Sequence, residues 1–199
     1  MFRFARSAQK NELALKHAAE DRAFVLGAIT SCVAFLESLV NEIFMLASEP
    51  IASSYGKLPA QKVMLDLWED VASKLPILAK YDLVLALNGC PPIDHGKMAY
   101  QDASSLVQLR NAVVHYRVGI RQHPDPEPIS IEKRLAGKFP SSPYYPSLTG
   151  PFFPHKCLSA GCAAWAARSA CSFADEFHQK LGISGTYALH DVPKLLDRP

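Results

Sequence analysis

The sequence predicts an all-α fold, a bundle of five or six helices with a proline- and aromatic-rich segment inserted before the last long helix. Three observations carry that prediction. Apolar residues recur at helical spacing in several long windows, no run alternates with period two, and no repeat of fixed length appears. The chain has 199 residues, 49% hydrophobic and 20% charged, which suits one domain spanning 1–199 with a core at about 10–182. Twenty-one Lys and Arg against nineteen Asp and Glu leave a net charge of +2, excluding a basic tail protein or an acidic disordered chain.

From Asn11 to Ala47 there is no proline and Gly27 is the one glycine, so a long helix is expected, with a break near Asp21 that divides it in two. Its second half is apolar over most of its circumference, which predicts a central position in the bundle. The polar remainder, Thr30, Glu37, Ser38, Asn41 and Glu42, is narrow, and Glu37 with Asn41 is an i, i+4 pair that needs polar company. The longest charge-free run here, Ala23 to Leu36, has fourteen residues against the roughly 18 of a spanning helix. With Lys10, Glu12, Lys16, Glu20, Asp21 and Arg22 ahead of it, no signal peptide is read, and the expectation is a cytoplasmic protein without a membrane partner.

Pro59 suits the opening of a second helix carrying Val63, Leu67, Val71 and Leu75. Pro76 splits that segment from a further helix over Leu78 to Leu87, and Asn88-Gly89 with Pro91-Pro92 makes a loop. Lys97 to about Tyr116 reads as helix. Between Val118 and His155 lie eight of the fifteen prolines with Phe139, Tyr144, Tyr145, Phe152 and Phe153, which predicts a stiff insert over about 118–155 folded back on the bundle or on a partner chain. Ile129 to Gly137 supplies a short helix inside it. The last helix is expected from Lys156 to Leu181, stopped by Gly182, and the tail 183–199 has no readable pattern.

Five cysteines without a CxxC pair read as free thiols, and seven histidines without HExxH give no zinc-hydrolase signature. No metal and no cofactor is expected. The informative string is Arg110-Asn111-Ala112-Val113-Val114-His115. Between Asp102 and Asp125 no acidic residue occurs, while Arg110, Arg117, Arg121, His115 and His123 do, a local patch suited to a polyanion. Asn111 and His115 share a helix face. Arg110 lies about 140° from His115 at ~100° per residue, so a long stem, a frayed last turn or a second subunit must bring the two together. Arginine binds phosphate through a planar fork of charge-assisted bonds, and histidine is the residue type for proton transfer near neutrality. The plain alternative is a helix C-terminus favoured by cations, worth about 0.3–1 kcal/mol.

This string resembles the R-x4-6-H signature of the HEPN superfamily (higher eukaryotes and prokaryotes nucleotide-binding domains), in which a polar residue commonly follows the arginine. Phe35-Leu36-Glu37-Ser38-Leu39-Val40-Asn41-Glu42 is similar to an early helix of several HEPN families. The resemblance implies a homodimer whose paired motifs form a cleft for single-stranded RNA and act as a metal-independent endoribonuclease, as in toxins held by an antitoxin partner and in defence effectors. On that reading His115 transfers protons, Arg110 holds the scissile phosphate and Asn111 orients the histidine or contacts RNA. Arg117, Arg121 and His123 would bind substrate, with a solvated loop as the equal alternative. Glu37 and Asn41 would support Arg110 or His115 from behind. The alternative is a non-catalytic HEPN module binding RNA, nucleotide or a protein.

Overall fold

The computed structural model describes residues 2–46, 58–115, 130–145 and 152–183. Among these, all regular structure is helical: α1 (Phe2–Leu46), α2 (Gln61–Asp70), a 3₁₀ turn (Ala72–Lys74), α3 (Ile77–Leu87), α4 (Met98–Val114), α5 (Ser130–Leu135), a wide turn (Phe152–Lys156) and α6 (Ala160–Leu181).

The residues group into two compact units, one of 1–31 with 107–167 and the other of 32–106 with 168–199. In the second unit α1 buries Val33, Leu36, Val40 and Phe44, the stripe expected of one helix face. Tyr81 of α3 is fully buried there; its hydroxyl donates to the Leu36 carbonyl at 2.6 Å, and its ring meets Phe173 and Phe177 of α6 edge-on at 4.9 and 4.6 Å. The hydrogen bond offsets the desolvation of the hydroxyl, so the aromatic burial leaves no unpaired donor. Asn88 closes the α2–α3 corner, its amide donating to the Val84 carbonyl at 2.8 Å and its Oδ1 accepting from the Ala60 N–H at 3.2 Å. Gly89 follows at φ +66°, where a Cβ would be strained.

The first unit is built around Val25, Ile29, Leu109, Ile131, Leu135, Phe153, Cys162 and Trp165. The described part of the proline-rich segment is folded here. The Glu132 carboxylate accepts from the Phe153 N–H at 2.8 Å, the Ser142 N–H donates to the Lys156 carbonyl at 2.8 Å, and Phe139 lies 5.4 Å from Trp165. Ser159 begins α6: its hydroxyl accepts from the Cys162 N–H at 3.1 Å and donates to the Pro140 carbonyl at 2.7 Å. That N-cap is why the helix starts at Ala160 and not at Lys156. It ends as expected, with Gly182 at φ +72°.

Three further differences from the sequence reading have physical causes. The Asp21 break is absent; with no proline and one glycine, α1 continues through it. α1 is also not enclosed on all sides. Ala23, Phe24, Gly27, Thr30, Ser31, Ala34 and Ser38 are exposed; apart from Phe24 these are small side chains that offer little apolar area to bury. Finally, counting charge-free residues understates α1: Leu15–Met45 is long and apolar enough to cross a membrane, with mean hydropathy 2.0 over its 18-residue window, a test that core helices also pass.

Candidate functional site

The motif sits at the C-terminal end of α4. Leu109 is fully buried and fixes the helix's rotation, which leaves Arg110 half-buried and Asn111, Val114 and His115 exposed. The His115 N–H donates to the Asn111 carbonyl at 2.9 Å, so helical bonding runs to the histidine itself. Asn111 and His115 therefore share one solvent-facing side. Arg117, Arg121 and His123 lie outside the described residues.

Glu37 and Asn41 belong to the other unit, both half-buried on α1. Asn41 has its polar partner there in Lys80 of α3, whose Nζ donates to Asn41 Oδ1 at 2.9 Å and lies 5.3 Å from the centre of the Trp68 ring. Lys80 was not singled out in the sequence. The signal was present, since it is a lone cation among the apolar neighbours Ile77, Tyr81 and Val84 at helical spacing.

Sequence reading also missed two histidines. His178 is buried at 3% exposure beside Phe177, and burial pushes its pKa down while Asp175 opposes the shift. His95 is exposed but held: its Nε2 is 3.1 Å from Asp82 Oδ2, and its ring stacks on Tyr100 at 3.9 Å with planes 9° apart. Burial, then the Asp82 charge, pushes the Tyr100 phenol up. A carboxylate paired to one ring nitrogen fixes an imidazole's orientation, but its partners are brought together by a loop between α3 and α4, which spacing does not reveal. Nearby in the same unit, Lys97, Ser172, Asp175, Glu176, Gln179 and Lys180 line an open polar hollow of about 560 Å³, spanned by a 3.6 Å Lys97–Glu176 ion pair. Its balanced charges select no ligand.

The thiols are free. Burial raises Cys32 to about 11, with Cys171 adding to the shift, and Cys157 to about 12, while Cys162 is pushed higher still. These are packing residues and not nucleophiles.

The two units differ in charge. The unit holding the motif carries twelve Lys and Arg against six Asp and Glu, a net +6. The other carries nine against thirteen, a net −4, and together they make the chain's +2. No family model, curated protein or solved structure matches the chain.

Proposed function

We propose that the chain is a metal-independent endoribonuclease of HEPN type, acting as a homodimer on single-stranded RNA. The observation that carries this reading is the helix-end arrangement of Arg110, Asn111 and His115, with the polar pair exposed on one side and the arginine half-buried on the same end of α4. The net +6 of the unit that holds them supports it, because a phosphate chain is drawn to positive charge irrespective of sequence.

In the proposed reaction a ribose 2′-hydroxyl attacks the adjacent phosphorus and the P–O5′ bond breaks. His115 takes the hydroxyl proton, and a second proton donor, supplied at the dimer cleft, protonates the departing O5′. Arg110 holds the phosphate oxygens and stabilises the charge that builds on them in the transition state. Asn111 positions the imidazole or the strand. The products are a 2′,3′-cyclic phosphate and a 5′-hydroxyl.

Incubation with single-stranded RNA in EDTA, followed by analysis of the product ends, tests this. Loss of general acid–base catalysis predicts that His115→Ala slows cleavage by about 10²–10⁴-fold, with a comparable loss for Arg110→Ala. Cleavage indifferent to His115→Ala would overturn the mechanism, and an active monomer by light scattering would overturn the shared cleft. RNA binding with no cleavage in the parent protein would assign the non-catalytic alternative.

A further inference from the structure

In the unit that carries the motif, Tyr145 is joined to two other flat groups. The Arg22 guanidinium of α1 lies over its ring, 5.2 Å from the centroid, and the His155 ring stacks on it at 5.4 Å with planes 24° apart. Tyr144, next in the chain, is 41% exposed, and His155 is exposed. The placement is built. The Tyr145 N–H donates to the Ser142 carbonyl at 3.3 Å, and the Ser142 N–H ties this turn to Lys156, next to His155, at 2.8 Å. Arg22 Nε is buried and makes no hydrogen bond among the described residues, while the guanidinium rests over the Tyr145 ring.

From this geometry we infer that Arg22, Tyr144, Tyr145 and His155 form a stacking platform for unpaired bases of a single-stranded RNA. The inference rests on the RNA reading above and extends it to a binding surface formed by the insert residues Tyr144, Tyr145 and His155 with Arg22 of α1. A guanidinium, a phenol ring and an imidazole each have a flat π-face, on which any base can stack, while the Arg22 charge draws the phosphates between bases. A lipid surface fits less well, since Tyr144 is the one large hydrophobic side chain left exposed among the described residues of 130–159, and no aliphatic anchor accompanies it.

The test measures binding of labelled oligoadenylate and of inorganic polyphosphate, which has charge but no bases, in a His115→Ala background that removes cleavage. Tyr144→Ala and His155→Ala are each expected to weaken oligoadenylate binding by roughly five- to 150-fold, the loss of one stacked base, with polyphosphate binding unchanged. Tyr144→Phe and His155→Phe keep a ring and should restore it, which separates stacking from misfolding. Equal oligoadenylate binding by parent and alanine variants overturns the platform but leaves the ribonuclease reading intact. A parent that binds no RNA overturns both. Retention on phosphatidylglycerol vesicles, lost in the same variants, would reassign the surface to lipid and overturn the proposal.

Discussion

The Lys80 ammonium, 3% exposed, donates a 2.9 Å hydrogen bond to Asn41 Oδ1, so α3 is fastened to α1 by a buried cation on a neutral amide. Asn41→Leu removes the acceptor and leaves the charge with the Trp68 ring. We expect a loss of about 1–3 kcal/mol by urea denaturation. Adding Lys80→Met should recover most of it, because an apolar pair of similar volume replaces a cation stranded without its acceptor. Purely additive effects in that double-mutant cycle would refute the coupling.

Two glycines on helices should respond in opposite directions to alanine. A Cβ on Gly161 would lie 2.8 Å from Pro140 Cδ, and a proline ring cannot swing aside. The overpacking cost of about 1–3 kcal/mol exceeds the ~1 kcal/mol helix gain, so Gly161→Ala lowers Tm. At Gly27 an added Cβ meets nothing within 4 Å, and Gly27→Ala should raise stability by about 0.5–1 kcal/mol. A Tm increase at Gly161 would show that Pro140 does not constrain α6.

His178 sets a pH dependence whose sign follows from its burial. Its pKa is lowered from the ordinary 6.5, so just below that value the unfolded chain binds a proton that the folded one refuses. Stability is therefore complete above about pH 6.5 and is lost as pH falls towards the lowered value. The urea midpoint followed from neutral to mildly acidic pH should decline less steeply in His178→Leu than in the parent. Parallel declines would remove His178 as the cause.

Alkylation should rank the thiols by burial. Cys157 and Cys162 are fully buried with pKa values pushed far up, so they should resist iodoacetamide at pH 8 until the chain unfolds. Peptide mapping after native and denatured labelling reads this directly, and rapid native labelling of either thiol would contradict the packing around Trp165.

Helix content was legible because periodicity and breakers act locally. Pro76 separates α3 from the turn before it, and Gly182 stops α6, each for reasons contained in one or two residues. The start of α6 was misplaced because Ser159 caps it while bonding to Pro140, nineteen residues away. The same limit applies to the site. Arg110, Asn111 and His115 share one helix end and could be read from spacing, whereas Lys80 with Asn41, His95 with Asp82 and Tyr145 with Arg22 are pairings that only chain folding creates.

On the proposed RNA reading, the uneven division of charge also sets how salt would act on binding. Counterions condensed on a single strand are released in proportion to the phosphates that a protein neutralises, with a slope of about −0.7 per contact on a logarithmic scale. A nearly neutral whole chain suggests weak salt dependence, yet on the RNA reading proposed above the residues that would meet the strand belong to the set with six excess positive charges. On that reading isoelectric point and polyanion affinity are separate quantities: the first averages both units, and the second would count contacts on one.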